Sequence, residues 1–387
     1  MRRILLNPKK KTANGWEIVN WSILDKKFHP DLRVFARSSS DSKGPAMAFI
    51  TAMQILKAQN IQPKFNVKVI MDFQEELGSP TLSPLVEKER DLFAAKVILI
   101  MDGTRHLSNL PTLTFGARGI ATVQLKVFGA IRNLHSGQYG NFAPNPVFHL
   151  ARLLGDMKDE NGRVLVPNFY DGVELNAERK AQINDVPENL EDIKKALGIA
   201  TIDSVGMTYQ EALQYPSLNI RGLKAAWVEK EVRTLLPNEA VAEIDMRLVP
   251  ATSGERQVQL LKKFILSKGF HIIDSLPTLE ERQTYPKLLQ FSYKIGSKPF
   301  QTDMNGALGK WLVKSMRYIY GDRYVKMQTT GGSQPIAPFI NTLGIPAVSI
   351  RIPNPDNSIH APNENLRLGN YLQGIETCLS ILTQSLD

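Results

Sequence analysis

Five consecutive apolar residues, Val97-Ile98-Leu99-Ile100-Met101, run straight into Asp102-Gly103. A run this short and unbroken reads as a strand covered on both faces, the habit of parallel sheets packed between helices. Ile345-Pro346-Ala347-Val348-Ser349-Ile350 is a second buried-strand candidate, and the Pro/Asn-rich loop after it carries His360. Phe65, Val67, Val69, Met71 and Phe73 alternate with other residues and predict a strand feeding Gln74-Glu75-Glu76-Leu77-Gly78-Ser79. Pro84 to Phe93 is short, polar and helix-permissive, so the local order is strand, helix, strand. Upstream, Ala46 to Leu56 is apolar almost all round and predicts a buried helix, preceded by the small-residue loop Arg37 to Pro45.

The middle of the chain has a different rhythm. Ala121, Val123, Leu125 and Val127 alternate with Thr122, Gln124 and Lys126, as in a half-exposed antiparallel strand. Ile244, Met246 and Leu248 do the same against Glu243, Asp245 and Arg247. Helical patterns lie at Asn145 to Met157 and Gly254 to Gly269, and the charged stretch Glu174 to Ala200 also reads as helical. A length of 387 residues favours two domains. The expected division is residues 1–117 and 301–387 as an α/β domain and 118–300 as an inserted α+β domain.

Composition narrows the function classes. The net charge of +9 is mild for this length, and no basic run is interleaved with aromatics, so no nucleic-acid partner is expected. The densest cluster, Lys9-Lys10-Lys11, reads as solvated. No apolar run is long enough to span a membrane, and Met1 to Lys11 lacks the apolar core of a signal peptide. The single cysteine, Cys378, rules out an intrachain disulfide and reads as a small buried hydrophobe. A cytoplasmic or a periplasmic location fits equally.

Four acidic or histidine positions share one placement. Glu75 and Glu76 follow the strand expected to end at Phe73, Asp102 ends its own strand, His360 follows Ile350, and Asp41 follows the segment Leu32 to Ala36. Ligands of open α/β sheets bind beyond the carboxyl ends of the strands. Carboxylates crowded there repel one another unless a cation joins them, and mixed oxygen and imidazole donors suit zinc.

The flanking residues resemble a known family. ARSSSDSKGP is similar to the GRGxxDxKG signature of the dizinc peptidases that include carnosinase-like dipeptidases, glutamate carboxypeptidases, aminoacylases, acetylornithine deacetylase and succinyl-diaminopimelate desuccinylase. QEELGS looks like that family's EEExGS block. ARG at 117–119, NLHSG at 133–137, RLVP at 247–250, TGGSQP at 330–335 and HAPNE at 360–364 follow in the family's order, with wording closest to the bacterial dipeptidase branch. The resemblance implies a zinc-exopeptidase-like fold, a mostly parallel sheet flanked by helices, with an inserted ferredoxin-like α+β lid and dimerisation domain. It implies that Asp41 bridges two metals, that Glu76 and His360 complete one site, and that Asp102 serves the other. Glu75 would be the general base and His135 would stabilise the oxyanion, in some family dimers from the partner subunit. Arg247, Gly332 and Ser333 would hold the substrate's terminal carboxylate. The implied cofactor is zinc, two ions in the family and one or two here, with manganese or cobalt as alternatives. The implied partners are a short peptide or N-acyl amino acid substrate and a second copy of the chain.

One block departs from the family. The HxD histidine that normally precedes the GRGxxD block by about 30 residues on its own strand has no counterpart. His29, in Phe28-His29-Pro30-Asp31, fits by letters but sits only 12 residues before Asp41 and beside a proline. The expectation is a chain that begins after that motif, with its second metal site short of an imidazole. Metal-dependent peptide hydrolysis is the leading reading, with N-acyl amino acid deacylation or peptide binding without turnover as alternatives.

Overall fold

The structure is a computed structural model and describes residues 9–12, 15–18 and 28–386. A short antiparallel pair, β1 (Lys9–Thr12) with β2 (Gly15–Ile18), comes first. The Lys9-Lys10-Lys11 run falls on β1, and its side chains lie outside the described residues. The outer layer continues with β3 (Arg33–Phe35), α1 (Lys43–Ala58), α2 (Leu82–Lys88), β4 (Ile98–Ile100) and β5 (Thr112–Thr114).

The chain then builds a second sheet from β6 (Gly119–Phe128), β7 (Ser217–Lys224), β8 (Glu239–Leu248), β9 (His271–Ile273) and β10 (Leu288–Ile295). Helix α3 (Pro146–Gly155) follows β6, the small helix α4 (Ala177–Asn184) comes before β7, and α5 (Gly254–Ser267) follows β8. The spatial order is β9-β10-β6-β8-β7, antiparallel except where β9 joins β10. Leaving β9 aside, this is the split βαβ arrangement of a ferredoxin-like sheet. The alternation of β6 and β8 puts Val123, Leu125, Ile244 and Met246 on one buried face, where they meet Leu150 and Leu153 of α3 and Leu261 and Ile265 of α5.

The return segment supplies α6 (Ala307–Tyr320), β11 (Val325–Met327), β12 (Ala347–Arg351), β13 (Asn365–Arg367) and α7 (Leu368–Thr383). Strands β11, β5, β12 and β4 form the outer sheet in that order; β11–β5 and β12–β4 are parallel and β5–β12 antiparallel. Its core joins Leu113, Phe115 and Val348 to Leu308, Trp311 and Leu312 of α6. Helix α1 packs on α7 through Ala48, Ala52 and Leu56 against Ile375, Cys378 and Leu382. Cys378 is buried, and burial pushes its thiol up to about 12. No helix among the described residues is long and apolar enough to cross a membrane.

Three sequence expectations need correction. The alternating segment 65–73 belongs to no sheet: among the described residues it makes no strand ladder, and Phe65 at its start packs edge-on against Trp311 instead. Helix α1 is buried along one stripe, Pro45, Ala48, Ala52 and Leu56, and leaves Met47 exposed, so its nearly all-round apolarity overstates its burial. Strand β4 forms where expected but is only half-buried, since it is the edge of its sheet. Strand β12, paired on both sides, is buried throughout.

Candidate metal centre

The side chains nearest one another come from three loops. Strand β3 pairs antiparallel with β13, Asn365 against Phe35 and Arg367 against Arg33. That pairing sets the loop after β3, which carries Asp41, against the loop before β13, which carries His360. A single-turn helix at Glu75–Leu77 brings Glu76 to the same place. This turn is closed from within: Asp72 accepts a hydrogen bond from Gln74 N, and Gly78 ends the turn in a left-handed conformation that glycine adopts without strain.

His360 Nε2 lies 2.8 Å from Asp41 Oδ2 and 3.0 Å from Glu76 Oε1. The ligand atoms of Asp41, Glu76 and His360 all fall within 4.8 Å of one another. Asp102 stands one hydroxyl away. Ser42 Oγ is 2.7 Å from Asp102 Oδ1 and 3.1 Å from Asp41 Oδ1, so its one proton serves either carboxylate in turn. Asp102 is fixed at the end of β4 by its backbone: Arg351 Nη1, from β12, donates to the Asp102 carbonyl at 2.6 Å. His360, Glu76, Arg37 and Glu364 line one cleft of about 680 Å3.

Electrostatics agree with a cluster short of positive charge. Burial, reinforced by the charges of Asp102, Glu76, Asp41 and Asp72, pushes the Glu75 carboxyl up to about 7. For His360, burial pulls the imidazole down, but the hydrogen bond to Asp41 and the charges of Glu76 and Asp41 outweigh it and raise its pKa. Two carboxylates and an imidazole at this spacing are a donor set for a divalent cation such as zinc, whose bonds to such atoms run about 2.0–2.2 Å. The residues present therefore fit a metal.

Glu364 is the organiser that residue spacing did not reveal. It is 3% exposed. Its Oε2 accepts from Arg37 Nη1 at 2.7 Å and Ser38 N at 2.8 Å. Its Oε1 accepts from Ser40 N at 3.0 Å, Ser40 Oγ at 2.9 Å and Asp41 N at 3.0 Å. One carboxylate thus gathers the backbone amides that lead into Asp41 and ties them to the His360 loop. Burial works against its charge, yet the hydrogen bonds from Ser38, Asp41 and Ser40 hold its pKa below the ordinary glutamate value. Gly44 completes the loop, because a Cβ there would run into the Ser39 carbonyl and the Leu366 side chain.

The remaining expected residues form other groups. Arg247 Nη1, on β8, donates to Ser333 Oγ at 3.1 Å and its Nε pairs with Asp245 at 3.4 Å. Gly332 is exposed, and a Cβ on it would meet nothing within 4 Å. His135 is exposed, and its Nδ1 accepts from Gly137 N at 3.2 Å. Among the described residues, no hydrogen bond or ion pair joins Arg247, Ser333 or His135 to the acidic cluster. His29 is also exposed, with its Nδ1 accepting from Asp31 N.

A family described as peptidase family M20/M25/M40 matches residues 8–384. The chain is 28% identical over 353 residues to a Beta-Ala-His dipeptidase of Rattus norvegicus, covering 89% of this chain and 69% of that protein. It is 27% identical over 352 residues to a Cys-Gly metallodipeptidase of Schizosaccharomyces pombe, covering 89% and 71%. Among solved structures, it is similar to an M20 family metallo-carboxypeptidase from Sulfolobus solfataricus, with a TM-score of 0.78, 28% identity and coverage of 92% of this chain and 78% of that one.

Proposed function

This chain belongs to peptidase family M20/M25/M40, and from that premise we propose that it is a metallopeptidase hydrolysing the peptide bond of dipeptides, with Asp41, Glu76 and His360 as its metal-holding core. The observation that carries the reading is the approach of His360 Nε2 to both Asp41 and Glu76, the latter on the turn that also carries Glu75. The dipeptide class is the one named for the similar mammalian and yeast proteins.

A divalent metal, zinc in the first instance, would supply Lewis-acid activation of the scissile carbonyl and of the attacking water. The protein's own groups do the rest. Asp41, Glu76 and His360 would hold the cation, and Asp102, linked to Asp41 through Ser42, would supply a carboxylate for a second one. Glu75 removes a proton from the attacking water and returns it to the leaving amine, as a general base beside the cation-holding Glu76. Arg247, steadied by Asp245 and Ser333, offers a guanidinium fork to the substrate's terminal carboxylate, and Gly332 leaves that end open. His135, on its exposed turn, stabilises the oxyanion. The expected homodimer is supported by β7, an edge strand that exposes Ile220 and Leu223.

The test is hydrolysis of a dipeptide panel, with N-acetyl amino acids alongside, before and after chelation. Dipeptide turnover that vanishes on chelation and returns with zinc is the expected result. Turnover confined to the N-acyl substrates would redirect the reading to deacylation, and turnover unaffected by chelation would end it.

A further inference from the structure

A second cavity, of about 280 Å3, has a different chemistry. Arg118, immediately before β6, and Arg179, in the first turn of α4, both line it, together with Gln214, Gln301 and Thr329. Arg118 is 7% exposed; its Nη2 donates to the Tyr215 carbonyl at 2.7 Å and to Ser217 Oγ at 3.1 Å, while its Nε has no hydrogen-bond partner. Arg179 donates to the side-chain oxygens of Gln301 at 2.9 Å, Gln328 at 3.3 Å and Gln214 at 3.4 Å, and to the Glu174 carbonyl at 3.2 Å. Every one of these acceptors is neutral. Among the described residues neither guanidinium forms an ion pair. Among the described residues that line the cavity the one carboxylate, Glu174, is exposed, and it meets Arg179 through its backbone carbonyl rather than its side chain.

Burying guanidinium charge without a counter-charge is unfavourable by several kcal/mol per ion. The carboxylate whose charge acts on Arg118 is Asp245, which already pairs with Arg247. One carboxylate shared between two arginines leaves the region net positive before Arg179 is added. Burial, then repulsion from Arg247, lowers the Arg118 pKa to about 10, which marks the same deficit. The cavity wall also includes Asn176, whose side chain caps α4 by accepting from Arg179 N at 2.9 Å and so helps hold Arg179 in place.

We propose that this cavity is an anion site, separate from the metal centre, that takes a small oxyanion between Arg118 and Arg179 and thereby weakens the hold of Arg247 on the substrate carboxylate. The coupling follows from position. Val249 and Pro250 of the wall continue directly from Arg247, and Thr329 leads into the loop of Gly332 and Ser333. A negative charge placed there opposes the field Arg247 presents to a carboxylate, so it raises KM and leaves proton transfer at Glu75 alone. This coupling rests on the assignment of Arg247 to the substrate carboxylate; the anion binding itself does not.

The test titrates the zinc-loaded protein calorimetrically with sulfate and, separately, with succinate, which distinguishes a tetrahedral oxyanion from a dicarboxylate. Saturable binding of either is expected, weakened about tenfold or more in Arg179→Gln and recovered in part in Arg179→Lys, as for hydrogen bonds to a charged group. The bound anion is expected to raise KM for a dipeptide about two- to threefold at unchanged kcat, with no such effect in Arg179→Gln. Absence of saturable binding, or equal binding by Arg179→Gln in a protein of unchanged melting temperature, overturns the site. Binding that leaves KM unmoved overturns only the coupling to Arg247.

Discussion

Two segments of this chain carry the same alternating pattern and end differently. Residues 121–127 lie on β6 between β8 and β10, and Val123 is 1% exposed. Residues 65–73 lie beside no strand among the described residues; Val69 is 57% exposed and Phe73 91%. Alternation specifies which side chains share a face, but only a neighbouring backbone turns that face into a sheet. The unpaired segment is the one that leads into Glu75 and Glu76. The Glu75–Leu77 turn therefore owes its position to local hydrogen bonds and to the acidic cluster it meets, whereas Arg247 is placed by a continuous ladder.

The largest expected contrast is in stability. Leu125→Ala, in the paired segment, should destabilise the protein by about 2–5 kcal/mol through loss of buried volume. Val69→Ala, in the unpaired one, should stay within about 0.5 kcal/mol. Denaturant unfolding of both variants checks this, and similar losses would show that Val69 is packed after all.

Glu364 offers the next contrast, because it does for the outer site what the ladder does for Arg247. Glu364→Ala leaves several buried amides without an acceptor, and about 3 kcal/mol of stability should be lost. Glu364→Gln, which keeps one acceptor oxygen, should lose about 1–2 kcal/mol. Zinc affinity should fall in both, in the same order, while the hydrogen-exchange protection of β6 stays as it was. Loss of protection spreading evenly through both sheets would contradict a local anchor.

Acid should separate the two regions as well. Burial works against the charge of Asp356, but hydrogen bonds from Asn354, Arg367 and Arg33 hold its carboxyl well below the ordinary range. Glu364 is likewise lowered. A carboxyl with a depressed folded pKa contributes its full stability above the ordinary value, about 4, and loses it as pH falls through the folded value. Hydrogen exchange followed from pH 6 to pH 3 should open residues 36–42 and 354–367 before β6 and β8. Simultaneous opening would remove Asp356 and Glu364 as the acid-sensitive clamps.

The smallest stability effect belongs to Gly332→Ala. Open space around that position predicts an unchanged melting temperature, while the added methyl narrows the entry to Arg247 and raises KM. A fall in melting temperature would show that the glycine serves the turn instead.

Much of this was legible in the residues. The unbroken run at 97–101 and the strict alternation of β6 and β8 yield strands where they predict them, because hydrophobic period reports burial. The convergence of Asp41, Glu76 and His360 follows from placing each beyond an apolar segment, and it holds even though the segment before Glu76 makes no sheet. Ser42 and Glu364 escaped that reading for a physical reason. Their work consists of hydrogen bonds to a carboxylate and to backbone amides, and Glu364 reaches Ser40 across 324 positions of sequence. The signals were present, a serine beside Asp41 and an acid closing the HAPNE block, but periodicity carries no information about a buried acceptor. The short reach of the paired strands explains the other miss: β4 has β12 on one side only, which the run of apolar residues could not show.

The central claim is that Glu75 moves the proton while Asp41, Glu76 and His360 hold the metal. Zinc content and dipeptide kcat measured together on Glu75→Gln and His360→Ala test it most directly. Glu75→Gln should bind zinc as the parent does and lose about 100- to 10,000-fold in kcat, while His360→Ala should lose the zinc itself. Glu75→Gln turning over at the parent rate, or His360→Ala retaining its zinc with undiminished affinity, would contradict the account.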